Sequence, residues 1–303
     1  SDPRRVPAVL LTIAFVESTF GAWHIKGGIG ELASALELRC RDLGVEFFLD
    51  TPVTKITYEA QAVTGIMAAE KFYPAEFVVA NADADIVYKK LLPDELRVVD
   101  SERKKLSKST KSLAGFSLLL GLDNSKITGQ IPELSHHNIY FPKDYDAEFD
   151  DIFLRKIPVS DPTIYICAPK DSTMVKGENK EAWSVLINAP RHEPGTGWDW
   201  RNNPGEYAEK IIAKLDGLGL RVSERLEVME FITPFDLENS AGAPGGSIYG
   251  TSSNGSRSAF LRASNTSPLK NLYCVGGSAH PGGGLPLVGI SAEIVAEAIG
   301  RAN

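Results

Sequence analysis

The sequence predicts a mixed α/β chain built in two parts, one interrupting the other. Three observations carry that expectation. Near its start the chain alternates helix, glycine and strand, with an amphipathic helix over 31–43 closed by Gly44 and a strand over 45–49. From Ser112 the apolar runs become short and are separated by Pro, Asp, Asn and Gly, as in a mostly antiparallel sheet. The C-terminal stretch then returns to the first rhythm: an apolar strand over 272–275, a glycine-rich crossing over 276–284, and a helix starting at Pro286 or Leu287.

Taken in order, Asp2 as N-cap and Pro3 in the first turn predict a helix running to Phe20, with Val6, Val9, Leu10, Ile13, Ala14 and Phe15 making a wide apolar surface. Such a surface serves either as core or as the wall of a greasy pocket. Lys26, Gly27, Gly28, Ile29 and Gly30 break the chain before the amphipathic helix. Strands are predicted over 52–58, 62–69 and 77–80, with 70–74 as the connection between the last two. The third strand ends in VVANADAD, where Asn81 and Asp83 favour a turn and a helix cap. A short helix through Leu91 and Leu92 stops at Pro93. In the second part, strands are predicted over 113–122, 135–141, 152–157, 163–167, 183–189 and 225–232, with a helix over 204–215. The Gly- and Ser-rich stretch 242–255 reads as a mobile or ligand-hugging loop, because patterned sequence resumes after it.

Length and charge exclude some functions. At 303 residues the chain can bury a large core as one or two domains. Its 32 basic and 39 acidic residues leave a net charge of -7, which argues against a nucleic-acid partner held by phosphate neutralisation. The basic cluster of Arg103, Lys104, Lys105, Lys108 and Lys111 reads as a solvated helix face. Cys40, Cys167 and Cys274 lack Cys-x-x-Cys or Cys/His spacing and read as buried thiols of a reducing compartment. No run approaches the length of a membrane-spanning helix, and the start lacks the pattern of a signal peptide, so the expected location is cytoplasmic, with membrane contact only at the surface. The chain opens Ser1-Asp2-Pro3 without Met, as a fragment would.

Catalytic machinery of the hydrolytic kind is missing: there is no G-x-S-x-G elbow and no Cys with an evident His partner. His136 and His137 are adjacent on a predicted strand, where neighbours point to opposite faces, so no metal site is expected from them. His280, inside the glycine crossing, could touch a ligand or brace the backbone. Neither GGIG nor GAPGGS has the G-x-G-x-x-G spacing. Either no dinucleotide binds or the seat of its diphosphate lies outside these residues. The crossing and the helix start after it would nevertheless seat an anion or an electron-rich ring, since glycines admit close approach and first-turn amides carry partial positive charge. The alternative is an ordinary strand, loop and helix at a domain's end.

Several segments carry a family resemblance. Trp23 to Gly28, GVEFFLDTPVTKI, FVVANAD and LYCVGGSAHPGGGLPLVGISAEIVAEAI resemble the carotenoid (phytoene) desaturases and their saturase relatives in the flavin-containing amine oxidase superfamily. LSHHNIYFPKDYDAEFDDIF is similar to the bacterial branch acting on hydroxylated or acyclic carotenoids. The resemblance implies an FAD-linked reductase-type fold, α/β (α+β), with an incomplete FAD-binding sheet and an inserted, mostly antiparallel substrate domain. Residues 1–25 would form a substrate-domain helix, 26–85 part of the FAD-binding domain, 86–265 the substrate domain and 266–303 the C-terminal part of the FAD-binding domain. Members of the family begin with a βαβ unit carrying the FAD diphosphate fingerprint, which makes this chain resemble their C-terminal part.

By the same resemblance, Val53 would lie beside the adenine, and Gly276 and Gly277 near the diphosphate and ribityl chain. Gly282, Gly283, Gly284, Pro286, Leu287 and Val288 would lie under the isoalloxazine, approached by Lys26, Gly27 and Gly28 from the substrate side. The implied reaction removes hydrogens from adjacent carbons of a carotenoid or isoprenoid polyene, with hydride passing to flavin N5; no general base stands out. Phe15, Phe20, Trp23, Phe116 and Phe141 are candidates for the apolar tunnel or for ordinary core. Two other readings stay open: a polyene saturase or another enzyme of the superfamily, and a non-catalytic escort-like binder of prenyl or lipid cargo. The chain alone is expected to hold FAD weakly or not at all, to be inactive, and to self-associate through exposed apolar surface.

Overall fold

A computed structural model describes residues 1–196, 198–255 and 262–300. In chain order its helices are α1 (Leu11–Phe20), α2 (Gly30–Asp42), α3 (Ala84–Ile86), α4 (Asp100–Lys108), α5 (Tyr145–Asp150), α6 (Pro204–Gly217), α7 (Val222–Arg225), α8 (Pro234–Ala241) and α9 (Leu285–Ile299). The strands are β1 (Val53–Glu59), β2 (Ala62–Ala68), β3 (Lys71–Pro74), β4 (Val78–Ala80), β5 (Ala114–Asp123), β6 (His137–Tyr140), β7 (Ile164–Cys167), β8 (Lys180–Ala189), β9 (Leu226–Ile232) and β10 (Leu272–Cys274). The chain forms two compact units. The first gathers Ser1–Ala8, Phe48–Ala114 and Phe235–Asn303, and the second Val9–Phe47 and Gly115–Pro234. By this division α1, expected with the substrate domain, lies in the second unit, as do α2 and Lys26 to Gly28, while 86–114 lies in the first.

In the first unit β1, β2 and β3 form an antiparallel sheet. Its two reversals place Ala60 and Gln61, then Ala69 and Glu70, at positive φ, the geometry of tight two-residue hairpins. Residues 71–74, expected within a connection, are therefore a strand, paired with β2 from Ala68↔Lys71 to Gly65↔Pro74. Beside this sheet β4 and β10 pair in parallel, Leu272 with Val78, Tyr273 with Val79 and Cys274 with Ala80. Both strands and α3 feed one core containing Ile56, Val63, Val87, Tyr88, Leu106, Leu272 and Cys274. The basic cluster is not a simple solvated face. Arg103 collects the carbonyls of Tyr88, Leu92, Pro93, Asp94 and Leu96 at 2.7–3.4 Å, satisfying acceptors left over where the helical turns after α3 end. Lys111 pairs with buried Asp85. Asp2 caps no helix: its carboxylate accepts from Arg4 N and Nε at 3.0 Å, its own amide donates to Asn254 Oδ1, and α1 begins only at Leu11. A short polar side chain that can bond the backbone two residues on does so in preference to starting a helix.

In the second unit the sheet order is β6-β7-β8-β5-β9. Along β5, Phe116, Leu118, Leu120 and Leu122 are buried at alternate positions, as one covered face requires. Tyr207, Ala208, Ile211 and Leu215 of α6 are buried in the same unit. Phe116 stacks on Trp200 at 5.6 Å and meets the Tyr207 ring edge-on at 5.1 Å, so it is core and not tunnel wall. Leu119, Leu186 and Val228, on alternate positions, are exposed. Residues 152–157 are not a strand: Asp144 caps α5, and the helix runs on as a wider turn to Arg155, whose Nε donates to Asp151 Oδ1 four residues earlier. Residues 45–49 form no strand either. α1 and α2 bury none of their residues, and Leu11, Phe15, Phe20 and Trp23 are more than 60% exposed.

Candidate functional site

The first unit brings two of the sequence motifs side by side. β4 carries the start of VVANAD and β10 the start of the glycine crossing; Val275 N–H continues their parallel ladder by donating to the Ala80 carbonyl at 3.0 Å. Asp83 caps α3 through the Asp85 amide at 2.9 Å. The Ala84 amide donates to Ser278 Oγ at 3.0 Å, joining the crossing to the same helix start.

Glycine is demanded in the crossing by the chain's own packing. Gly276 has φ 94°, and a Cβ there would strike Asn81 Oδ1. A Cβ on Gly283 would strike the Tyr249 ring, one on Gly277 would touch the same ring, and one on Gly282 would press on the Arg262 guanidinium. Gly284, with φ 102°, faces open space and precedes α9 with no side-chain cap. α9 starts at Leu285, ahead of the expected Pro286 or Leu287, and the Val288 amide donates to the Gly284 carbonyl at 3.0 Å. Val288 is thus committed within the helix. The first-turn amides of Leu285 and Leu287 are those a helix leaves without an internal acceptor, and Pro286 has none to offer. Val53 stands at the start of β1, opposite Ala68, in the same unit.

Three side chains that sequence reasoning passed over hold the crossing in place. Buried Arg262 donates from Nη1 to the Tyr249 and Gly277 carbonyls at 2.7 and 2.9 Å, and from Nη2 to Ser253 Oγ at 3.4 Å. Among the described residues these partners are all neutral oxygens, and burial pushes the guanidinium pKa down. Asn265 Nδ2 lies 2.9–3.0 Å from the Cys274 carbonyl, the His280 carbonyl and Ser291 Oγ. Ser291, on α9, accepts in turn from the Gly276 amide at 3.2 Å. His280 is exposed, and its amide and carbonyl brace the turn through Ala263 and Asn265. The only advance signal was a set of polar residues, Arg262, Asn265 and Ser291, inside otherwise apolar or glycine-rich sequence.

Lys26, Gly27 and Gly28 belong to the second unit. Asp171 organises them: its Oδ2 accepts from the Gly27 amide at 2.7 Å and meets His24 Nε2 at 3.0 Å. Hydrogen bonds from Thr173, Gly27 and His24 hold its carboxyl well below the usual range. Gly28 and His24 line a cavity of about 740 Å³ on the open face of the sheet, with Leu119, Met174, Trp183 and Val228 among its apolar walls. Cys167 and Tyr165 stand in the same wall. Here one expectation fails. The rings of His136 and His137 lie 4.4 Å apart, centre to centre, rather than on opposite faces. β6 starts at His137, so strand alternation does not govern His136.

Residues 7–124 match the family model described as flavin containing amine oxidoreductase. The 1-hydroxycarotenoid 3,4-desaturase of Flavobacterium sp. (strain P99-3) is 33% identical over 100% of this chain and 60% of its own length. The zeta-carotene-forming phytoene desaturase of Myxococcus xanthus is 34% identical over 98% of this chain and 56% of its own, and the 4,4'-diapolycopene oxygenase of Methylomonas sp. 31% over 99% and 59%. An oxidoreductase from Methanosarcina mazei shares the fold, with a TM-score of 0.58 at 16% identity over 90% of this chain and 55% of that one. By these matches the chain falls among the flavin-containing amine oxidoreductases. Within them the chain belongs to the carotenoid desaturase and oxygenase family, and it spans about 60% of the length of the curated relatives it matches.

Proposed function

We propose that the protein is an FAD-dependent oxidoreductase that desaturates an acyclic carotenoid or related isoprenoid polyene. The observation that carries this reading is the end of the glycine crossing: an uncapped helix start beside a buried arginine whose partners are neutral oxygens. Such a place fits a flavin, whose reduced form is anionic. When bound, the flavin supplies a hydride acceptor at N5. The chain's own residues do the rest. Leu285 and Leu287 present amides, and Arg262 adds fixed positive charge, where negative charge gathers. Asn265, Ser278 and Ser291 keep the crossing rigid, so no reorganisation is needed when charge develops. In this reading Val53 lines the adenine through its backbone, Gly276 and Gly277 the diphosphate and ribityl chain, and Gly282 to Leu287 the ring. The seat of the diphosphate itself is assigned to residues outside the 303.

The substrate side follows from the second unit. A polyene offers no charge, so its binding rests on burying apolar length, worth roughly 25 cal/mol per Å². The cavity of about 740 Å³ against Leu119, Met174 and Val228 is of a size and character to accept part of such a chain. Lys26, Gly27 and Gly28, fixed by Asp171, are assigned to the substrate side. Among the described residues no helix is long and apolar enough to cross a membrane. Surface attachment to a membrane is the proposed route to a lipid-dissolved substrate, and failure of the protein to co-sediment with liposomes would count against it.

The test is anaerobic titration of the flavin-loaded protein with an acyclic carotenoid delivered in liposomes. Bleaching of oxidised flavin matched by lengthening of the polyene supports desaturation. Reduced flavin that instead shortens the polyene makes the protein a saturase, and a full-length protein, diphosphate seat included, that stays colourless with excess FAD is a lipid escort. An oxygenase relative at 31% identity gives a further reading specific support. A product that gains oxygen in air, with no anaerobic bleaching, would establish it.

A further inference from the structure

One side-chain cluster in the second unit stands at the cavity wall that holds Cys167 and is not used by the proposed flavin chemistry. His136, His137 and Cys167 each direct a ligand atom, a ring nitrogen or Sγ, into one region, all within 4.8 Å of one another. The backbone accounts for the meeting. His137 and Cys167 are register partners across β6 and β7, so their side chains share a face. His136 precedes the strand, and its carbonyl accepts from the Ala168 amide at 2.9 Å, which leaves its ring free to turn to the same side.

We propose that His136, His137 and Cys167 form a binding site for a thiophilic divalent transition ion, with Zn²⁺ as the type. Two imidazoles and a thiolate are the donor set of zinc and its neighbours, and a poor set for Mg²⁺ or Ca²⁺, which take oxygen ligands. Three protein ligands leave the fourth tetrahedral position open to water. With bonds of about 2.0–2.3 Å, donors around zinc stand roughly 3.3–3.8 Å apart. Side-chain rotations of about an ångström close the set, and His137, being exposed, is free to make them.

The surroundings resemble those of a built site. The Tyr165 hydroxyl lies 2.7 Å from His137 Nδ1, the place of an outer partner that orients a ligand. The His24 ring meets that of His136 edge-on at 4.9 Å, and Asp171 fixes His24 through Nε2 at 3.0 Å. Binding forms a metal–sulfur bond in place of the S–H bond, and the thiol proton passes to solvent. No oxidation is involved. The assignment does not depend on the flavin reading.

The test uses the full 303-residue chain, stripped with a chelator and titrated with Co²⁺ as a spectroscopic stand-in and with Zn²⁺ in competition with a chelating dye. The expected result is one ion per chain, a near-ultraviolet thiolate-to-Co²⁺ band, and no competition from excess Mg²⁺. Cys167→Ser should abolish the band, while Cys40→Ser leaves it unchanged. His137→Ala, an exposed position whose loss leaves the fold intact, should weaken Zn²⁺ at least about 10-fold. A Co²⁺ spectrum without the thiolate band, or a band and affinity unchanged in Cys167→Ser and His137→Ala, would overturn the site.

Discussion

Asn265→Ala should loosen the glycine crossing from its helix. The Asn265 amide nitrogen lies 2.9–3.0 Å from the Cys274 and His280 carbonyls, and Asn265 is buried. Alanine leaves both carbonyls without that donor, at about 1–3 kcal/mol for each orphaned buried group. Ser291 keeps its bond from the Gly276 amide, so its hydroxyl adds little. The expected cost is about 2–4 kcal/mol, the range for two such groups with some relaxation. Cys274, 1% exposed beside the lost bond, reports it. In a background where Cys40 and Cys167 are serine, its reaction with a thiol reagent requires the crossing to open. At 1.4 kcal/mol per factor of ten, the rate should rise roughly 30- to 700-fold, in step with a lower denaturation midpoint. A rate within about twofold of the parent, with an unchanged midpoint, would refute the view that Asn265 holds the site together.

Further outcomes follow from other residues. Gly283→Ala should cost about 1–3 kcal/mol in chemical denaturation by forcing the Tyr249 ring aside, and in a Tyr249→Ala background most of that cost should vanish; equal costs in both backgrounds would refute the contact. Cys274 has its thiol pushed up from 9.0 to about 11 by burial. A raised native pKa means stability is intact below pH 9 and lost as pH rises toward 11, by at most about 2–3 kcal/mol, and Cys274→Ala should flatten that loss in denaturation curves. Asp171 has its pKa lowered from 3.8, so its tie to Gly27 and His24 is complete above about pH 4 and weakens as pH falls below it. Limited proteolysis of the 21–30 stretch should therefore rise in acid for the parent, and Asp171→Ala should be cut readily at every pH. Arg262→Met should weaken FAD binding at least about 10-fold by removing the charge beneath the crossing, measured by flavin fluorescence on the intact protein; unchanged affinity would remove Arg262 from the site.

What the sequence made legible was whatever leaves a local trace. The covered alternation of β5 and β8, the apolar face of α6, the Asp83 cap and the strand, glycine and helix order near the C-terminus all depend on neighbours in the chain. β3 went unseen because its hairpin turn is Ala69-Glu70, without the Asn-Gly signature of positive φ. The helical turns through Arg155 went unseen because Ile152, Phe153 and Leu154 form an apolar run that fits strand or helix equally, and the Asp151–Arg155 pair decides it. In the candidate site, the motif residues of β4 and the crossing could be named in advance. Arg262 and Asn265 could not, since their work is to bond carbonyls and a hydroxyl of other segments, and carbonyls leave no mark in the residue letters.

The parallel pairing of β4 with β10 also bears on how the protein is made. Ala84 and Ser278, bonded across this junction, are 194 residues apart in the chain. Closing so long a loop carries an entropic cost before any contact repays it, so the junction should form late in folding. During synthesis, β4 leaves the ribosome long before its partner exists, with Val78 to Ala80 an unpaired edge that other chains could capture. The junction under the proposed cofactor seat thus forms only once β10 has been made, and slow translation or early arrest should expose β4 to aggregation.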